Sequence, residues 1–361
     1  MRASQKPKKT FFLRREKKTN TMKKLSFLNK LIFILNSLCA LLLLLGYILP
    51  YAPPSVFPKL SVLSLLLPVL LITNFVFLIY WLLRLKRQFL LSALILLLGI
   101  HHITALYNFG DAASDSLDNI KLMSYNLRAF AIQGNAKKQD VQKSIYEFIK
   151  KEDPAIICFQ EYSDLKKGMD LKYPYQAKKL KPFKKSFGQI MYSKYPIINS
   201  GSFDFKKTGN NIMYADIVIR KDTVRIYNVH LQSLRVSSDF TELQQEDSKR
   251  LLSRMGAAFK RQEEQVKEFL KNESNSPYPV IVAGDFNNSS TSYIYRKIKG
   301  EKEDAFAKAG TGTGKTFTFD FLPLRIDFVL ADPVFEVTQF KNYEIYLSDH
   351  EPIMASFTLP E

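Results

Sequence analysis

Six short apolar stretches of this chain each lead onto polar residues of a kind that can do chemistry. Asn126 ends IKLMSYN, Glu161 ends AIICFQE, and Asn228 and His230 close RIYNVH. Asp285 and Asn287 follow VIVAG in GDFN, Asp327 stands near the start of RIDFVLAD, and Asp349 and His350 lie in LSDH. Carboxylates are ligands for a hard cation such as Mg2+, and histidine changes charge near neutral pH. One at a time, Asn, Asp and His at a strand end are usually turn formers or solvated groups. A whole set of them is harder to dismiss, because polar groups beyond the strand ends of an α/β sheet project into one crevice.

The elements that must hold these residues are written in the pattern. The stretches at 120–125, 155–160, 189–192, 212–219, 224–229, 280–283, 326–330 and 353–357 are short and β-branched or aromatic, with turn residues at their bounds, and predict strands. Val141, Ile145, Phe148 and Ile149 share one face of a helix that ends before Asp153 and Pro154, and a second helical pattern covers 248–270. Strands that can pair antiparallel, interleaved with helices, predict an α/β sandwich of two packed mixed sheets flanked by helices, four layers in all. There is no internal repeat.

In their order, MSYNLR, CFQEYSD, YSKYPI, YNVHLQS, AGDFNNS, RIDFVL and LSDHEPI resemble the endonuclease/exonuclease/phosphatase superfamily, the group of deoxyribonuclease I and exonuclease III, over about 119–359. The resemblance implies a hydrolase of phosphoesters that uses Mg2+, with Mn2+ as a possible substitute. Such a reaction needs a metal to neutralise phosphoryl charge, a group that activates or positions water, and protonated groups at the phosphate. By resemblance Glu161 is the main metal ligand, with Asp349 and Asn126 beside it. Asp285 would activate or orient the water, and Asn287 would hold water or phosphate. His350, paired with Asp327, would polarise the phosphate as an imidazolium. His230 would face the leaving group or a phosphate oxygen. Asn228, on the same strand face as His230, is a weaker substrate-binding candidate. The leading expectation is a membrane-anchored phosphodiesterase with a nuclease-like mechanism, its substrate a nucleic acid or a phospholipid headgroup. Because such a site reads phosphate and not the leaving group, the alternative is a phosphatase or sphingomyelinase/phospholipase-C-like hydrolase acting on lipid or inositol phosphate headgroups. An inactive membrane-anchored binding module is the alternative from another class.

Composition narrows the field. The 361 residues include 28 Phe and 18 Tyr, which excludes a disordered chain, and 2 Cys, which excludes a disulfide framework. With 4 His, a structural zinc site is disfavoured too. The net charge of +18 is concentrated at one end. Residues 1–110 hold 15 Lys+Arg and a single acid, Glu16; residues 111–361 hold 37 against 33, only +4, which argues against tight duplex binding. The basic third also contains three uncharged apolar stretches, 31–49, 60–83 and 89–107, each near the 20 residues that a bilayer core requires. Pro68 is expected to kink the second.

Eleven Lys+Arg precede the first stretch, three lie in 84–87 and one in 51–59, so the positive-inside rule puts the N-terminus in the cytoplasm. The expected layout is a basic tail at 1–30, three transmembrane helices, a linker at 108–118 and an extracytoplasmic catalytic domain at 119–361, with the lipid bilayer as partner. His101 and His102 read as interfacial residues. Two further features look functional and are not. The GTGTGKT segment at 310–316 has Ala309 where a phosphate loop needs glycine and is followed by strand-like FTFDF, so no nucleotide is expected there. The KKLKPFKK stretch at 178–185 reads as a solvated loop, with guidance of an anionic polymer or contact with anionic headgroups as the alternative.

Overall fold

The computed structural model describes residues 25–110, 119–131, 137–163, 171–181, 184–205, 208–236, 246–319 and 322–359. The 1–24 tail, most of the expected linker and the tip of the basic 178–185 stretch lie outside them.

Two segments are long and apolar enough to cross a membrane, Phe27–Tyr51 and Pro58–Leu83. The first is built on α1 (Phe27–Ile48), and the second joins α2 (Pro58–Ser61), a 3-10 turn (Val62–Leu66) and α3 (Leu67–Leu83). Pro68 lies in the first turn of α3, where its missing N–H leaves no bond broken, so it starts this helix instead of kinking it. The third apolar stretch is bent. α4 (Phe89–Leu98) and α5 (Ile100–Leu106) meet at 66° across Gly99. The Tyr47 phenol fills the space that a Cβ on residue 99 would need, and its hydroxyl donates to the Ile95 carbonyl at 3.1 Å, an insertion of the sort that bends helices. Inside the bundle, Asn36 Nδ2 donates to Ser92 Oγ at 2.9 Å and Trp81 Nε1 donates to Asn36 Oδ1 at 3.0 Å, which links the three helical segments by polar bonds.

Beyond residue 119 the layers follow from alternation. The first sheet runs β13 (Glu336–Asn342), β14 (Ile353–Thr358), β1 (Ile120–Asn126), β2 (Ile156–Ser163), β4 (Lys184–Ser193), β3 (Tyr175–Lys181). The second runs β5 (Ile197–Asp204), β6 (Asn211–Ile219), β7 (Asp222–His230), β8 (Val280–Asp285), β12 (Asp327–Ala331), β9 (Glu303–Asp304). A small hairpin of β10 (Phe317–Phe319) and β11 (Leu322–Leu324) stands apart. β1 pairs β2 in parallel and β7 pairs β8 in parallel, so both sheets are mixed.

Leu122, Ile156 and Cys158 of the first sheet form one core with Ala215, Ile226, Ala283 and Val329 of the second. The alternate residues Met123, Tyr125 and Phe159 pack on Val141, Ile145 and Ile149 of α6 (Lys138–Glu152). On the far side Tyr227, Val282 and Phe328 pack on Val266 and Phe269 of α7 (Ser248–Glu273) and Ile294 of α8 (Tyr293–Lys299). Each fully buried aliphatic or aromatic side chain contributes about 1.5–3 kcal/mol, well above the few tenths that helix propensity supplies. α6 stops at Asp153, which is left-handed at φ 49 just before Pro154, as expected.

The domain is docked on the helical bundle. Ser55 donates to Glu263 of α7 through its N–H (2.6 Å) and hydroxyl (3.1 Å), and Arg296 of α8 lies over the Tyr51 ring at 4.3 Å. Thr291 Oγ1 donates to Ser64 O at 3.0 Å. Ser290 Oγ (3.3 Å) and Arg325 Nη2 (3.0 Å) both donate to Ala105 O near the end of α5. Asn108 pairs with Gly312 through two backbone bonds of 2.8 and 2.9 Å.

Candidate active site

Register assembles the centre. His230 lies opposite Asp285 in the parallel β7–β8 pair, and Asp327 lies opposite Asp285 in the antiparallel β12–β8 pair, so the three project side by side from one edge of the second sheet. Gly284 makes this possible: at φ 141 its Cα faces the Val229 backbone, where a Cβ would overlap the carbonyl. From the first sheet, Asn126 at the end of β1 reaches across and donates to Asp285 Oδ2 at 3.0 Å. Glu161 lies where the β2–β4 register shifts and takes φ 49, a bulge that re-aims its side chain.

Asp285 is held on every side. Its Oδ1 accepts from Asn287 N–H (2.7 Å) and its Oδ2 from Asn287 Nδ2 (2.9 Å). Burial pushes its pKa up to about 7; the His350 charge opposes this and the Asp327 charge adds to it. His350 Nδ1 lies 2.9 Å from Asp327 Oδ2, and its Nε2 lies 3.8 Å from Asp285 Oδ2. Burial lowers the His350 pKa, but the charges of Asp327 and Asp285 and the bond to Asp327 more than reverse this and raise it to about 10. His350 is therefore an imidazolium at neutral pH, donating to Asp327. Phe317 packs on its ring at 5.1 Å, and Thr316 Oγ1 accepts from the N–H groups of Ile326 and Asp327.

His230 faces Asn210 and Glu161. Asn210 Nδ2 donates to Leu231 O at 2.8 Å, which fixes that amide, and its second hydrogen points at His230 Nε2, 2.9 Å away. The same Nε2 lies 3.5 Å from Glu161 Oε1. Glu161 and Asp349 are the open side of the cluster, their side chains 29% and 25% exposed against 1% for Asp285 and 2% for Asp327. Burial and the Asp349 charge push the Glu161 pKa up, while His350, a hydrogen bond from Asn126 and Arg128 pull it down.

Could these residues hold a metal? Four carboxylates, Glu161, Asp285, Asp327 and Asp349, share the site with two cations, His350 and Arg128, leaving an excess of negative charge that a divalent ion would offset. Asp285, Asp327 and His350 can bring ligand atoms within 4.8 Å of one another, a spacing compatible with a metal. An imidazolium, however, has no lone pair to give. The oxygen donors of Glu161, Asp349 and Asn126 suit Mg2+ better.

One candidate is displaced. Asn228 is fully buried, its Nδ2 donating to Phe159 O at 3.0 Å and its Oδ1 accepting from Gln160 Nε2 at 2.8 Å. It ties the two sheets together beneath the cluster and offers no group to a substrate. Arg128, not singled out in the sequence, stands in the cluster instead: it follows Asn126 in a left-handed turn over Arg128–Phe130, and its Nη1 contacts Asp349 Oδ2 at 3.2 Å. Asn210 and Thr316 were not singled out either. The GTGTGKT segment follows the short helix α9 (Ala305–Ala309) and leads into β10, with Lys315 paired to Glu351 at 2.7 Å. The strand–loop–helix of a nucleotide site is not there. Lys178 and Lys179 lie on β3, engaging the Tyr162 ring and Asp204.

Two six-stranded mixed sheets packed face to face, with acids, amides and a His–Asp pair at their joint edge, define a class of phosphoester hydrolases. Residues 123–350 match the endonuclease/exonuclease/phosphatase family, and the chain belongs to it. Residues 29–106 match a domain of unknown function. Solved structures share the fold. An endonuclease/exonuclease/phosphatase from Bacteroides vulgatus is 19% identical over 67% of this chain and 99% of its own, with TM-score 0.50. The catalytic domain of human Nocturnin with a bound sulfate anion is 17% identical over 69% and 96%, with TM-score 0.52. D. rerio TDP2 complexed with a single-strand DNA product is 17% identical over 68% and 100%, with TM-score 0.50. No curated protein matches the chain.

Proposed function

We propose that this protein is a membrane-anchored, divalent-metal-dependent phosphodiesterase with a nuclease-like mechanism. The observation that carries the reading is a buried cluster in which His350 lies between two carboxylates, its Nδ1 2.9 Å from Asp327 Oδ2 and its Nε2 3.8 Å from Asp285 Oδ2, so that their charges raise its pKa while burial raises that of Asp285. A carboxylate and a charged histidine side by side can supply a base and an acid to the same reaction. Glu161, with Asp349 and Asn126 beside it, would hold Mg2+, which when bound neutralises charge on the phosphoryl oxygens. Asp285 takes a proton from the attacking water, and Asn287, whose Nδ2 donates to Asp285 Oδ2 and Leu231 O, orients that water through its Oδ1. His350 Nε2–H donates to a phosphoryl oxygen, a bond that strengthens as charge develops there. His230 stands on the Glu161 side, where it meets the leaving group or a phosphate oxygen.

The reading includes an anchor with its N-terminus in the cytoplasm and its catalytic domain outside. Besides the basic flanks, what supports an odd number of crossings is that Ser55, before the second helical segment, and Asn108, after the third, both bond the same domain.

The enzymatic reading is tested with the full chain in detergent, following hydrolysis of bis(p-nitrophenyl) phosphate. Turnover should need Mg2+ and vanish in EDTA. Glu161→Gln, which keeps size but removes charge, should lower it by orders of magnitude while the circular dichroism spectrum persists. Full activity in EDTA would sink the mechanism.

A further inference from the structure

Asp327 and His350 belong to different sheets. Asp327 opens β12 of the second sheet, and His350 stands just before β14 of the first. Their 2.9 Å bond therefore crosses the joint between the sheets. Apolar packing across that joint is non-directional, whereas catalytic groups must be held to within about 0.5 Å of their productive geometry. A directional tie between the two segments is needed.

The residue that supplies it ends the GTGTGKT segment. Thr316 is fully buried and bonds both arms of the pair. On the Asp327 side its N–H donates to Leu324 O at 2.9 Å, and its Oγ1 accepts from the N–H groups of Ile326 at 3.0 Å and Asp327 at 3.1 Å. On the His350 side its carbonyl accepts from Glu351 N–H at 2.7 Å. The N–H, the hydroxyl oxygen and the carbonyl of this one residue are all engaged, and together they span the joint that the His350–Asp327 bond spans. Its neighbours repeat the tie to the first sheet. Lys315 Nζ meets Glu351 at 2.7 Å, and Phe317 forms a β-bridge with His350 and packs on its ring. In a nucleotide loop the final hydroxyl would go to a magnesium ion; here its oxygen is occupied by two backbone N–H groups.

We infer that Thr316 is a positioning residue for the reaction: through its hydroxyl and carbonyl it sets the distance and angle at which Asp327 holds His350. The kinetic consequence rests on the phosphodiesterase reading above, while the bond itself can be read without turnover.

The experiment uses the full chain in detergent with Mg2+ and bis(p-nitrophenyl) phosphate. Thr316→Val keeps the shape and removes the acceptor. Its kcat should fall about 10–100-fold, the scale of a small misplacement of a reacting group, with KM within about twofold of wild type. Thr316→Ser keeps the oxygen and should retain most of kcat. In a His350→Ala background Thr316→Val should cost little more, because it acts through the pair. A second readout needs no substrate. In chain isotopically labelled at histidine, the proton resonance of His350 Nδ1–H, assigned by its loss in His350→Ala, should move in Thr316→Val and stay in Thr316→Ser. Should Thr316→Val not fold, Thr316→Cys, whose sulfur is a weak acceptor, takes its place. Wild-type kcat with an unmoved resonance in Thr316→Val would overturn the inference alone. So would a Thr316→Ser chain as impaired as Thr316→Val, or an undiminished loss in the His350→Ala background. A wild-type chain with no turnover would overturn the phosphodiesterase reading and the positioning role of Thr316 with it.

Discussion

His350 and Asp327 are 2.9 Å apart although 23 residues separate them in the chain. Removing a preorganised donor of this kind costs about 10²–10³ in kcat, roughly 3–4 kcal/mol. His350→Ala should show that loss with a much smaller change in KM, Asp327→Asn a milder one, and the double variant little more than His350→Ala, because the two act as a unit. Fully additive losses in steady-state kinetics would dissolve the pair. The pH profile follows from the same residues. Asp285 must be ionised to act as base, so activity rises as pH climbs through about 7; His350 must be protonated, so it falls as pH passes about 10. In Asp327→Asn the His350 pKa drops, and the alkaline limb should move to lower pH; a limb that stays put would mean another group sets it.

These residues were legible in the sequence because each follows or opens an apolar run. Arg128, Asn210 and Thr316 were not, since their roles come from neighbours distant in sequence: Asp349 for Arg128, His230 for Asn210, Asp327 for Thr316. Asn228 misled because its strand position matches that of His230, while its surroundings are the two glutamines between the sheets.

Among the elements, β8 does most to set the geometry, since it lies between β7 and β12 and carries Asp285 at its end. Its weak point is Gly284. Gly284→Ala forces a Cβ into the Val229 carbonyl at a φ of 141 and should cost about 2 kcal/mol or more. For a domain of this size that is a fall of roughly 4–8 °C in unfolding midpoint, measurable by thermal scanning of the full chain; an unchanged midpoint would show that the strand relaxes. The strands and α6 were readable from periodicity. The break at Gly99 was not, because a glycine in an apolar run looks ordinary until Tyr47, from another helix, is placed against it. Pro68 was read as a kink for a similar reason: nothing local shows that the 3-10 turn precedes it.

At the scale of the molecule, orientation is the boldest expectation. A phosphatase reporter fused after Glu361 should be active only outside the cytoplasm, and activity inside would remove the orientation and require one apolar segment not to cross. The joint between domain and bundle has one property with a wider reach. At Ser64 and Ala105 the acceptors are backbone carbonyls, whereas the donors are the side chains of Thr291, Ser290 and Arg325. A carbonyl is present whatever residue bears it. The helical bundle can therefore drift in sequence at these two positions without loosening the joint, while the donor positions cannot. Correlated substitution, the usual trace of two surfaces that evolve together, should be missing at Ser64 and Ala105 and be found where side chain meets side chain, at Ser55 with Glu263 and Tyr51 with Arg296.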